Sequence, residues 1–303
     1  MRLVEATDSD KRARDLLTAS AWGKQFTTEQ FLQREAGLRA HPFAQQHMRT
    51  WLWVDAARVA CSCETFEVPA RRGSRVGRAF VIASVFTEPS LRGRGHAVGL
   101  INAVCARLAE QGEALAVVLF SEVGARLYGR AGFVAQPSWD VMLPLETSVL
   151  PLVTSGVKQS LGVEAPPVGA MDGAVQLELT VEQCDWQVER ERLYASALNR
   201  PEVKAHLLRH ERSSLCVAAS FQTNELHVLW YRFDKPADVG PLLAAAGDHG
   251  RASGLTSLRL WETTPIPLPA GAVRVPRNDE LPMLRALDGG AATWSFIERG
   301  SWA

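Results

Sequence analysis

Val85-Phe86-Thr87-Glu88-Pro89-Ser90-Leu91-Arg92-Gly93-Arg94-Gly95-His96-Ala97 carries the chain out of an apolar extended run, through a turn with two glycines and two arginines, and into a helix. Upstream, residues 78–87 are the strongest strand-forming stretch of the sequence. Downstream, Ala97, Leu100, Ile101, Val104, Cys105 and Leu108 recur at three- and four-residue steps, which gathers them on one helix face, and Gly112 is placed to end that helix. A strand feeding a glycine turn that opens a helix is a physical recipe for holding phosphate. Glycine lets the backbone bend sharply and expose N–H groups, while the helix start adds unpaired donors and a partial positive charge. Arg92 and Arg94 add full charges beside them. The spacing is neither Gly-x-x-x-x-Gly-Lys-Ser/Thr nor Gly-x-Gly-x-x-Gly after a first strand, so neither a nucleoside-triphosphate loop nor a dinucleotide turn is indicated.

On both sides of this turn the elements alternate as in a mixed α/β protein. Residues 3–6 form a short strand, and Asp8 or Ser9 is placed to cap a helix carrying Ala13, Leu16 and Leu17. Thr27 with Gln30 offers a capping box for a second helix through about Leu38. Strands over 50–55 and 59–67 are joined at Ala56-Ala57-Arg58. After the glycine turn and its helix come a buried-type strand (114–120), a short helix (122–131) ended by Gly132, and extended chain (133–143). A segment rich in Pro, Gly, Ser and Thr then reads as a connector, dividing the chain into domains at 1–145 and 175–303 with a linker at 146–174. The element order partly repeats beyond it: a strand at 175–179, a helix capped by Thr180 with Gln183, and a hairpin (215–221, 225–233) turning at Gln222-Thr223-Asn224. A helix (237–252), a strand (255–262), a helix (279–287) and a last strand (293–297) follow.

Lys plus Arg and Asp plus Glu both number 33 in 303 residues, which removes the electrostatic footprint of a nucleic-acid binder. The longest apolar runs, such as 115–120, are far too short to cross a bilayer, and the first eight residues turn charged too early for a signal peptide. Five scattered cysteines do not form a disulfide framework. A cytoplasmic monomer or homodimer, with neither membrane nor nucleic acid as partner, is the expectation. No metal site is expected either. Cys61-Ser62-Cys63 offers too few ligands, and His206 with His210, read as i, i+4 on a helix face, has no supporting cysteine pair.

The strand, turn and helix around Arg92-Gly93-Arg94-Gly95-His96-Ala97 resemble the first motif of the GNAT N-acetyltransferases. A second stretch, Ser121-Glu122-Val123-Gly124-Ala125-Arg126-Leu127-Tyr128-Gly129-Arg130-Ala131-Gly132-Phe133, is similar to that family's later motif, with serine where many members carry Asn. The resemblance implies an α/β (α+β mixed sheet) GNAT acyl-CoA N-acyltransferase fold with acetyl-CoA (coenzyme A) as co-substrate. The turn, Arg92, Gly93, Arg94, Gly95, His96 and Ala97, would cradle the diphosphate, and the backbone of Val85, Phe86 and Thr87 would hold the pantetheine arm. A backbone N–H of that strand would polarise the thioester carbonyl. Tyr128 matches the tyrosine that protonates the departing thiolate. In this class the amine attacks the thioester directly, so most of the rate comes from positioning. A lysine-like ammonium needs a base, since deprotonating it at pH 7 costs roughly 4–5 kcal/mol. Glu64, Glu67, Glu88 and Glu122 are the candidates, with Glu64 and Glu122 foremost because they sit at strand ends beside the expected cleft.

More closely, the chain is similar to the fungal lysine N6-acetyltransferase family and its bacterial relatives. The similar stretches are Thr28-Glu29-Gln30-Phe31-Leu32-Gln33-Arg34-Glu35, Ser62-Cys63-Glu64-Thr65, residues 83–93, Asp279-Glu280-Leu281-Pro282-Met283 and Glu298-Arg299-Gly300-Ser301-Trp302. That resemblance implies free lysine as the small-molecule amine substrate. An aminoglycoside, a polyamine or a protein amine is an alternative acceptor, and an acyl-CoA sensor or assembly module a non-catalytic alternative. Asp234-Lys235-Pro236-Ala237-Asp238 stands where the second half would need its own Arg-x-x-Gly turn, so a single cofactor site is expected, beside a degenerate second GNAT-like domain that closes the substrate pocket. Trp22, Trp51, Trp53, Trp261 and Trp294 are candidate walls of an amine pocket, and Arg34, Arg274 and Arg277 candidate cations for a carboxylate.

Overall fold

Thr7 and Thr27 each open a helix in the same way. The Thr7 hydroxyl accepts from the Asp10 N–H while the Asp10 carboxylate accepts from the Thr7 N–H, and Thr27 and Gln30 do likewise. Thr7, rather than Asp8 or Ser9, is the first cap because only Thr7 finds a reciprocal partner three residues on. The helices are α1 (Asp8–Trp22) and α2 (Thr28–Ala40). The protein is seen in a computed structural model that describes residues 1–56, 58–145, 156–167 and 173–302. Ala57 of the expected hairpin turn, and positions 146–155 and 168–172 of the expected linker, lie outside the described residues.

The remaining elements of the first half are β1 (Arg2–Glu5), α3 (Pro42–His47), β2 (Met48–Asp55), β3 (Arg58–Arg72), β4 (Arg75–Thr87), α4 (His96–Ala109), β5 (Ala114–Ser121), α5 (Ala125–Gly129), β6 (Val134–Ala135) and β7 (Trp139–Pro144). The second half holds β8 (Lys158–Leu161), β9 (Val175–Leu177), α6 (Val181–Ala197), β10 (Ala205–His210), β11 (Ser213–Ser220) and β12 (Glu225–Arg232). It continues with α7 (Val239–Ala252), β13 (Ser257–Glu262), β14 (Val273–Pro276), β15 (Leu281–Ala286) and β16 (Trp294–Ser295).

Two sheets result. One runs β1-β2-β3-β4-β5-β15-β6, with β9 and β16 alongside; the other runs β14-β7-β13-β12-β11-β10-β8. In each, a parallel pair (β4 with β5, β12 with β13) is bridged by one helix, α4 or α7. The helix face predicted for α4 is buried as Leu100, Ile101, Val104, Cys105 and Leu108, against Phe80, Ile82, Val117 and Leu119 of β4 and β5. In α7, Leu242, Leu243, Ala245 and Ala246 do the same under Leu215, Val228 and Leu258.

The sheets do not follow the expected chain division. β7 from the first half pairs with β13, and β15 from the second half pairs with β5, each antiparallel. Residues 279–287 are therefore not the helix expected from the sequence. Asp279 looks like a helix cap, but Pro282 interrupts any helical ladder, and Leu281 to Ala286 pairs with β5 as a strand covered on both faces, Met283 in one apolar cluster and Leu284 in the other. His206 and His210 likewise sit on strand β10, not on a helix. One further expectation inverts. Leu16 and Leu17 of α1 are about half exposed, whereas Arg14, Asp15 and Thr18 are buried. That helix turns a charged face inward, toward the cleft described next.

Candidate active site

β4 and β5 pair from Arg78 with Ala114 to Ile82 with Leu119, and then stop, although β4 continues paired to β3 as far as Thr87. The parting of the strands has a local cause. The β3–β4 register shifts between Ser62 and Glu64, and Ser84 takes φ +51°, a left-handed conformation uncommon for residues other than glycine. Arg14 holds this bulge. Its Nη2 donates to the Ser84 carbonyl at 3.0 Å, its Nε to Ser62 Oγ at 3.1 Å and its Nη1 to Glu64 Oε1 at 2.8 Å. The β5-facing edge of Val85, Phe86 and Thr87 is left without a strand partner among the described residues, and it borders a cavity of ≈ 840 Å³.

One end of the cavity reaches the glycine turn. Gly93 (φ 76°) and Gly95 (φ 81°) hold left-handed conformations, and a side-chain carbon built on either would meet nothing within 4 Å. Gly95 is the N-cap of α4 and supplies no side chain to the first helical amides, so these donors stay free. Arg92 Nε donates to the Thr87 carbonyl at 3.2 Å, which folds the arginine back over the strand end. Arg92, Gly93, Gly95, His96 and Ala97 line the cavity together with Val85, Phe86 and Thr87; Arg94 is exposed and does not.

Tyr128 faces the same cavity from α5. The turn that delivers it is fastened by Ser121, whose hydroxyl donates to the Gly124 carbonyl at 2.7 Å and accepts from the Val123 N–H at 3.3 Å. The Tyr128 side chain is buried against Phe133, and its hydroxyl has no hydrogen-bond partner among the described residues. Burial pushes its phenol well above the usual range, with Cys63, Cys61 and Glu122 adding to the rise, so it stays a proton donor at neutral pH.

A free strand edge, an uncapped glycine turn and a protonated tyrosine thus share one cleft. A family model described as an acetyltransferase (GNAT) domain matches residues 3–135. The chain carries a GNAT acetyltransferase domain. No curated protein sequence matches the chain. Among solved structures, a probable N-acyltransferase from Enterococcus faecalis is similar at a TM-score of 0.63 and 12% identity, covering 95% of this chain and 73% of that one. A GCN5-related N-acetyltransferase from Anabaena variabilis is similar at 0.61 and 15%, covering 94% and 72%. A tandem GNAT protein from the clavulanic acid biosynthesis pathway is similar at 0.52 and 12%, and there the coverage is 96% of this chain and 99% of that one. These likenesses establish the fold over both halves, including a second GNAT-like domain after the first.

Within the GNAT domain the two leading carboxylates differ. Glu64 is buried and committed to Arg14. Glu122 lines the cavity as an exposed residue, yet its carboxyl is raised above the ordinary range, first by partial desolvation and then by Glu280 and Asp279. Glu67 pairs with Arg78, and Glu88 with Arg58; neither lines the cleft. Of the aromatic candidates only Trp22 reaches the cavity. Trp51 donates to Thr65 inside the core, Trp53 lies against Gly99 of α4, and Trp261 and Trp294 pack at a tilt against Phe120, with ring centroids 5.0 and 5.3 Å away. Arg34 lines the cavity; Arg274 is paired to Glu262, and Arg277 lies 3.5 Å over the Trp261 ring.

Sequence reasoning missed the residues brought in from afar. Arg14 is one, hidden because an inward-facing arginine has no periodic signature. Trp186, Arg190 and Tyr194 of α6, Gln222 at the β11–β12 turn, and Trp302 also line the GNAT domain's cleft. The helical spacing of 186, 190 and 194 was the one available signal that these three share a face.

Proposed function

We propose that this protein transfers the acetyl group of acetyl-CoA to a primary amine by direct attack, with the side-chain amine of free lysine, or a similar small amine, as acceptor. The observation that carries this reading is the parting of β4 from β5 directly above the uncapped glycine turn, with Tyr128 opposite. The diphosphate would sit on Gly93, Gly95, His96 and Ala97 with Arg92 alongside, and the pantetheine amides would pair with Val85, Phe86 and Thr87 as an added strand. Acetyl-CoA supplies the thioester; the chain supplies alignment and proton management.

Tyr128 is the proton donor that meets the leaving sulfur. Because its phenol is raised above a thiol of ordinary pKa ~8.5, it stabilises the thiolate by hydrogen bonding more than by full proton transfer. Glu122 is the stronger choice for receiving the amine's proton, directly or through water, since a raised carboxyl is the better base and Glu64 is held by Arg14. The chemistry lies with residues 1–145, to whose sheet β15 is added from the second half, and residues 175–303 supply most of a second GNAT-like domain, joined by β7, that closes the acceptor side. The fungal lysine N6-acetyltransferase resemblance supports lysine as the first amine to try.

Thiol release from acetyl-CoA, followed across a panel of lysine, alkyl diamines, an aminoglycoside and a lysine peptide, tests the proposal. Amine-dependent release with lysine or another small amine is expected; acetyl-CoA binding without acceleration by any amine would leave a binding module in its place.

A further inference from the structure

At the α2–α6 end of the cavity two arginines from different halves of the chain line the same space, close enough for the charge of Arg34 to be felt at Arg190, and both have donors to spare. Arg190 is 7% exposed, and among the described residues its only polar contact is a long one, Nη2 to Glu191 Oε1 at 3.4 Å, while its buried Nε has no partner there. Its guanidinium carbon lies over the Trp302 ring, 3.9 Å from the centroid, which restrains the side chain that carries the unused donors. Arg34 pairs with Glu35 at 2.7 Å and lies 4.4 Å over the Tyr194 ring, again with a buried Nε that bonds nothing among the described residues. Both line the cavity.

A buried guanidinium without a full set of acceptors is costly. The cost registers in Arg190, whose pKa is pushed down to about 10, by burial foremost and further by the like charges of Arg299 and Arg34, against the pull of Glu191 and Tyr194. Such a pair is stabilised by an anion that both forks can reach, and a planar carboxylate accepts from arginine forks two bonds at a time. Glu35 and Glu191 already offset part of the positive charge, so a monoanion suits the site better than a dianionic phosphate. We propose that Arg190 and Arg34 form a carboxylate clamp for the acceptor, so that the amine substrate is one bearing a carboxylate at its far end and the second GNAT-like domain reads it. This rests on the acetyl-transfer reading above.

The matched probes are lysine and pentane-1,5-diamine, the same chain without the carboxylate. With the wild-type protein, kcat/KM for lysine should exceed that for the diamine, and Arg190→Gln should lower the lysine value roughly 100-fold against at most a few-fold for the diamine. Arg190→Lys, which keeps the charge but not the fork, should fall between the two. Equal loss for both amines in a variant that keeps wild-type Tm and acetyl-CoA affinity, or a wild type indifferent to the carboxylate, would overturn the clamp. If Arg190→Gln does not fold, Arg34→Gln takes its place under the same criterion. Should no amine be turned over, the acetyl-transfer reading fails while the clamp still has its own readout. Titration calorimetry of the CoA-loaded protein should then show lysine binding that the diamine lacks and Arg190→Lys weakens, and absence of that binding would refute the clamp.

Discussion

The two halves of this protein build the same strand–helix–strand unit and finish it in opposite ways. In the first half, β4 leaves β5 at Ile82, the turn before α4 contains Gly93 and Gly95, and the helix start is uncapped. In the second, β12 pairs with β13 only from Glu225 to His227, and a register shift between Cys216 and Val217 echoes the bulge beside Ser84. The parting of strands is therefore present twice. What differs is what lies in it. The turn before α7 is Pro236–Asp238, and the Asp238 carboxylate, held by Ser213 Oγ at 2.6 Å and His210 Nδ1 at 3.2 Å, puts a negative charge where a phosphate would go. The chain's own Arg299–Ser301 turn lies along β12, with Gly300 so close that a side-chain carbon there would come within 3.2 Å of the Leu229 carbonyl. Glu298 pairs with Arg232 beside it. One opening is left for a ligand, and the other is filled by the protein itself. Strand geometry alone does not make a cofactor site; the turn chemistry and the vacancy do.

Tyr128 has no counterpart after β13, so the sharpest test of the difference is there. Tyr128→Phe should lower kcat roughly 100-fold while leaving acetyl-CoA affinity within a few-fold; unchanged turnover would remove the tyrosine from the chemistry. Next in size is the contrast between helix starts. Gly95→Val forces a branched residue into φ 81° and crowds the free amides, and acetyl-CoA should bind about 10-fold more weakly. Gly240→Ala, one residue into α7 with nothing within 4 Å, should instead stabilise the fold by about 0.5 kcal/mol and leave acetyl-CoA binding alone. Equal calorimetric Kd changes for the two would mean the halves bind alike.

The smallest effect concerns how the second half feeds the first. As the proposed base, Glu122 would act only when deprotonated, and its pKa is raised, so kcat/KM should climb with pH through a value above the ordinary carboxylate range. Asp279→Asn removes a negative neighbour, which eases that deprotonation and should move the limb to lower pH by less than about one unit. Glu122→Gln should abolish the limb. A pH profile untouched by either change would place the proton elsewhere.

Much of this was legible beforehand because it is local. The Thr27–Gln30 capping box, the buried face of α4, the glycine turn and the missing second turn at Asp234-Lys235-Pro236-Ala237-Asp238 each depend on residues within a few positions of one another. Residues 279–287 misled because capping signals are local too, whereas the pairing that makes them a strand is with β5, more than a hundred and fifty residues away in the chain.

The sequence by itself determined where a phosphate could be held, since φ at a glycine and unpaired amides at a helix start follow from neighbours along the chain. Only the tertiary structure decided what else enters the cleft. The exchange of β7 and β15 between sheets, the inward turn of Arg14 on α1, the stacking of Arg34 over Tyr194 and the seat of Arg190 on Trp302 all join distant parts of the chain. Their energies come from burial and charge pairing between distant segments, and those leave no periodic trace in the order of the residues.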